Sequence, residues 1–126
     1  MNRHQKQRIL WLDCIGGLVV GAVVLLAARF FSDLECLPLW IIRFVGFANL
    51  AYGCYSLWVT VQIPRKLVLV KCLALANVTW LAVCIAIVVT YWNEIAVLGI
   101  SHILAEGIYV ASLGVIEWRW RNALAN

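Results

Sequence analysis

The chain has 126 residues, of which 65% are apolar and 13% charged, against about 45–50% and about 25% in an average soluble domain. A soluble domain of this size leaves much of its surface in water and has too little interior to hide such an apolar excess. The same figures exclude a disordered chain, a disulfide-stapled secreted module and a nucleic-acid binder, and leave an all-α integral membrane protein with almost no soluble part.

Four apolar runs reach the length of about 20 residues that a helix needs to cross the hydrocarbon layer. The first covers about 10–31 and is closed by Ser32-Asp33-Leu34-Glu35. Its basic start resembles a signal peptide, but the run is too long for an h-region and lacks a small-residue cleavage site, so an uncleaved helix is expected. The second covers about 38–63, with Pro38 at a first helical position, where its missing N–H costs nothing, and Pro64 ending it. The third covers about 67–92 and the fourth about 95–118. Continuous rather than alternating apolarity excludes barrel strands. The short connections predict one domain, an up-down-up-down bundle of four transmembrane helices.

Charge placement orients the bundle. Arg3, Lys6 and Arg8 precede the first span, Arg65, Lys66 and Lys71 flank the second turn, and Arg119 and Arg121 follow the fourth span, whereas the other two turns carry Asp33, Glu35 and Glu94. Basic clusters favour the cytoplasmic side, so both termini are expected there, in the plasma or inner cell membrane. The tryptophans form two interfacial belts in the same frame, with Trp80 alone lying deep. The five cysteines form no C-x-x-C pair, and neither a metal site nor a haem or dithiol centre is read from their spacing. No cofactor is indicated.

Polar side chains inside a membrane face the bundle, a cavity or a partner. Asp13 and Lys71 read as an interfacial ion pair, and Glu117 with Arg121 four residues on reads as a second pair at the rim. Deeper lie three similar segments: Ala48-Asn49-Leu50-Ala51-Tyr52, Ala76-Asn77-Val78-Thr79-Trp80 and Ala105-Glu106-Gly107-Ile108-Tyr109. Each puts a polar group and an aromatic ring three residues apart on one helical face. His102 stands one turn before Glu106, and Arg43 lies at a comparable depth. The expected site is therefore one mid-membrane polar centre of Asn49, Tyr52, Asn77, Trp80, His102, Glu106 and Tyr109, within reach of Arg43. In the first span, Gly17 and Gly21 form G-x-x-x-G, which lets a second backbone approach closely.

An acidic, histidine-bearing centre suits a cation, a proton or a weak base rather than an anion. A transporter or channel is the first functional expectation. Because four helices enclose little volume, a permeation path would call for a homo-oligomer in the lipid bilayer. The alternatives are an accessory or scaffold subunit that binds another membrane protein, and a membrane-embedded enzyme with His102 and Glu106 as an acid/base pair on a lipid-like substrate. No residue is singled out as a catalytic nucleophile. The same residues also suit a purely structural clasp, in which Asn49, Asn77 and Glu106 hydrogen-bond across the bundle.

Overall fold

A computed structural model describes residues 3–62 and 64–125. The side chains of Arg3 and Lys6, two of the basic residues that precede the first span, lie outside that description, as does Ile63, the expected end of the second span. The described chain is helical without strands: α1 (Arg3–Leu26), α2 (Ala28–Glu35), α3 (Leu39–Val61), α4 (Leu67–Thr90), α5 (Val97–Arg119) and α6 (Arg121–Leu124). Four of these, α1, α3, α4 and α5, are long and apolar enough to cross a membrane. Helix is the form such runs must take in hydrocarbon, where only an internal ladder satisfies every backbone group. Between 28% and 39% of each span is buried within the protein, so the surface left over is apolar and suits lipid. Leu26, Val89 and Val97 lie on it, as do Trp40 and Trp92, while Trp80 is 2% exposed.

Glycine sets how the spans pair. A Cβ on Gly17 would stand 2.9 Å from the Asn49 carbonyl and 3.0 Å from Gly53 Cα, and one on Gly21 would stand 2.8 Å from the Gly46 carbonyl. Thus α1 lies backbone to backbone on α3 and runs antiparallel to it, and the G-x-x-x-G of the first span finds its partner within the chain. Gly107 and Gly114 do the same for α4 and α5, against Cys84 and the Ala74 carbonyl. The two tight pairs are α1 with α3 and α4 with α5. They meet over an apolar core that includes Ile42, Val45, Trp80, Cys84 and Ile103 and over the polar residues described below.

Two ends close the bundle differently. At one end the first run bends at Ala27 (φ −111°, ψ 29°), and α2 stops at Cys36 in the left-handed region (φ 55°, ψ 42°). The Cys36 and Leu37 N–H groups both donate to the Ser32 carbonyl, a helix stop in which glycine is the usual residue. This turn directs Glu35 inward, to 2% exposure. It also lets α5 approach, since a Cβ on Gly99 would stand 3.0 Å from the Glu35 carbonyl. Pro38 caps α3 instead of occupying its first turn; its carbonyl accepts from the Ile41 and Ile42 N–H groups. At the opposite end, α6 folds over so that Leu124 is fully buried with Leu10, Val59, Val70 and Leu73. Arg65 fastens this end by donating to the Thr60 carbonyl at 2.9 Å and the Leu124 carbonyl at 3.4 Å. Its burial, which holds the guanidinium below its ordinary pKa, makes it an internal clamp.

Candidate functional site

Glu106 on α5 is the focus of the first polar group. Its Oε1 accepts from Asn49 Nδ2 on α3 and from Trp80 Nε1 on α4 at 3.0 Å. Its Oε2 faces His102 Nε2, one turn earlier on α5, at 3.2 Å. The other ring nitrogen, His102 Nδ1, lies 3.0 and 2.9 Å from the two oxygens of Glu35. Both imidazole nitrogens therefore face carboxylate oxygens, and at least two protons among the three groups are needed to give each contact a donor. Glu35 is 2% and Glu106 9% exposed, whereas the His102 side chain is 24% exposed. That side of His102 borders an open hollow of about 410 Å³ between α1 and α5, lined by Val19, Val23, Phe31 and Tyr109 among others.

The second group lies nearer the termini. Asn77 on α4 donates both amide hydrogens, one to Asp13 Oδ2 on α1 at 2.6 Å and one to Glu117 Oε1 on α5 at 2.9 Å. Asn77 and Glu117 are fully buried and Asp13 is 6% exposed. Among the described residues no Lys, Arg or His forms an ion pair with either carboxyl group. Asn77 Oδ1 and Glu117 Oε2, like Glu106 Oε2 in the first group, have no hydrogen-bond partner. Between the two groups is a small cavity of about 30 Å³ with Asp13 and Asn77 at one side, Asn49 and Glu106 at the other, and Gly16, Tyr52 and Tyr109 in its wall. With about 10–15 Å³ needed to hold a water and about 30 Å³ the share of one in the liquid, it has room for about one.

The sequence thus leads to one centre where the fold builds two. Asn49, Trp80, His102 and Glu106 do converge. Tyr52 reaches this group through its ring, which packs edge-on to Trp80 at 5.7 Å between centroids. Asn77 shares the small cavity with Asn49, Tyr52, Glu106 and Tyr109 but bonds elsewhere, because three residues of helix separate it from Trp80 by about 4.5 Å along the axis, enough to put it level with Asp13. Tyr109 donates to the Leu12 carbonyl at 3.4 Å and walls the cavity. Arg43 is exposed, beside Arg29 on a surface hollow at the α1–α2 bend, and makes no ion pair with Glu106 among the described residues.

Both rim pairs need correction. Asp13 pairs with Asn77 and not with Lys71: α1 begins at Arg3, so Asp13 stands ten residues, about 15 Å, inside the helix and not in its first turn. Arg121 does not reach Glu117; it donates to the Trp118 carbonyl at 2.8 Å and lies over the Trp118 ring at 4.7 Å. Glu117, two residues from the end of α5, is fully buried. Glu35 is the residue that the sequence hid most completely. It follows Asp33 in what reads as a polar turn, and only the left-handed stop at Cys36 turns it inward. Both ring nitrogens of His102 are engaged by carboxylates, and among the described residues no group of three or more His, Cys, Asp or Glu is arranged to hold a metal ion. No known protein family, curated protein or solved structure matches the chain, so the site is read from its geometry alone.

Proposed function

We propose that the protein is a multi-pass protein of the cell membrane, an up-down-up-down bundle with both termini cytoplasmic, that moves a proton, a small cation or a weak base through the centre at Glu106 and His102. One observation carries this reading: two buried carboxyl groups, Glu35 and Glu106, flank a single imidazole, with a water-sized cavity directly behind Glu106. A pure clasp would satisfy its members and leave no space. Here a titratable chain joins an internal cavity on one side to a partly exposed histidine on the other, as proton relays in membranes require. Acids outnumber bases at the centre, which favours a cationic passenger.

Reconstitution of the full chain in vesicles enclosing a pH-sensitive dye tests the reading. Wild-type protein should pass protons, or exchange them for a cation, under an imposed gradient. Glu106→Gln, which keeps size and one hydrogen-bonding oxygen, should remove the flux without loss of thermal stability. Equal flux in the two proteins would leave only a structural clasp. The orientation is tested separately at Cys36, which is exposed: an impermeant thiol reagent should label it on intact cells when the other four cysteines are replaced, and labelling only after permeabilisation would reverse it.

A further inference from the structure

The geometry points to a second proton site, Asp13–Asn77–Glu117, joined to Glu106 by the internal cavity, so that the passenger is the proton itself. This inference rests on the transport reading above and names its substrate and its route. Two carboxyl groups meet there on one amide, in apolar surroundings and without a cation among the described residues. Asn77 has only two N–H hydrogens and spends one on each acid, which leaves Glu117 Oε2 and Asn77 Oδ1 bare. Like charges at such separation in low dielectric cannot both persist. The pair therefore holds one proton between them, and that proton gives one of the bare oxygens its partner.

Position makes the pair a relay station and not an isolated store. Asp13 and Asn77 border the cavity from one side and Glu106 from the other. A water in it would link the carboxyl of Asp13 to that of Glu106 by hydrogen bonds, across which a proton moves by exchange of O–H bonds with no net chemistry. From Glu106 the next acceptor is His102 Nε2 at 3.2 Å, and Glu35 lies against Nδ1 at 2.9 Å. The fifteen residues of α5 from His102 to Glu117 cover about 22 Å at 1.5 Å each, most of a hydrocarbon layer of about 30 Å. Leu124 and the residues packed around it lie at the Glu117 end of the bundle, and His102 is the partly exposed opposite end of the route.

The test is proton flux in vesicles of phosphatidylethanolamine and phosphatidylglycerol, driven by a potassium diffusion potential, in sodium-free choline buffer. Asp13→Asn and Glu117→Gln should each lower the flux by about a hundredfold, the usual contribution of a positioned proton-transfer group, as Glu106→Gln should. If Glu106→Gln abolishes flux while Asp13→Asn and Glu117→Gln both keep it, the second site falls and the transport reading stands. If Glu106→Gln itself changes nothing, the transport reading falls and the route with it. Flux that appears only when sodium is added overturns the proton as passenger. Infrared spectroscopy of the Glu106→Gln protein decides the matter if the Asp13 or Glu117 variants fail to fold. Its spectrum at neutral pH should retain the band of a buried protonated carboxyl group, and absence of that band overturns the site.

Discussion

Glu106 and Glu117 lie on the same helix in the same protein, yet they are accommodated in opposite ways. Around Glu106, an amide, an indole N–H and an imidazole converge, and the imidazole is shared with a second acid. Around Glu117, one amide serves two acids and two oxygens are left without partners. Glu106 Oε2 also lacks a hydrogen bond but stands 3.2 Å from an imidazole nitrogen. The His102 group is the more exposed, and the Asn77 group is nearly sealed and has no cation beside it among the described residues. A buried polar group without a partner costs about 1–3 kcal/mol, so such a deficit in a folded protein marks a place where a proton or water completes the bonding. The contrast separates a centre that holds its charges by design of its neighbours from one that depends on what enters it.

The largest expected effect comes from removing what aligns both groups at once. The α1–α3 contact brings Asn49 to Glu106 and holds Asp13 beside Asn77. Leucine at Gly17 or Gly21 would drive a side chain into backbone already within 2.9 Å of a Cβ, and each should cost about 3 kcal/mol or more. Val19→Leu, on a face that is 55% exposed, should stay within about 0.5 kcal/mol. Thermal unfolding in mild detergent measures all three. Equal stability would mean that α1 is free to slide on α3 and that the two polar groups are not jointly registered.

The next effect sets the two groups directly against each other. Asn77→Leu strips the shared donor from Asp13 and Glu117 together and should destabilise by about 2–3 kcal/mol. Asn49→Leu leaves Glu106 with Trp80 and His102 and should cost about 1 kcal/mol, the size of one side-chain bond in a membrane. The order matters more than either value. If Asn49→Leu proves the more damaging, the His102 group is the poorer in donors and the contrast is reversed.

The four spans were legible because continuous apolar runs and their basic flanks leave few alternatives, and the glycine pair of α1 announced a close approach correctly. The convergence of Asn49, Trp80, His102 and Glu106 was half legible, since helical spacing puts polar groups on faces but does not say which faces meet or at what height. That is why Asn77, only three residues from Trp80, was assigned to the wrong group. Glu35, Asp13 and Glu117 were misread for a shared reason. Charges near the ends of apolar runs look like rim residues, and their burial depends on events beyond the run: a left-handed stop at Cys36, a helix that begins at Arg3, and a terminal turn that buries Leu124. None of these leaves a periodic signal.

The smallest expected effect, that of Arg43→Gln, decides which cation belongs to the Glu106 centre. Two candidates lie at similar depth in the sequence, Arg43 and His102, and an arginine would be the stronger partner for a buried acid. In the structure His102 lies between Glu35 and Glu106 on both ring nitrogens, whereas Arg43 points to an exposed hollow beside Arg29. His102→Phe removes the donor to two buried acids and should cost about 2 kcal/mol, within the range of hydrogen bonds to charged groups. Arg43→Gln removes an exposed charge with no acid paired to it among the described residues and should change stability by less than about 0.5 kcal/mol. The same pair separates in the vesicle assay, where Arg43→Gln should retain wild-type proton flux and His102→Phe should lose it. An Arg43→Gln protein as damaged as His102→Phe would mean that the arginine swings inward to neutralise Glu106. The centre would then carry a fixed positive charge beside its acid, an arrangement that repels a cationic passenger and removes the reason for His102 to exchange protons with Glu106.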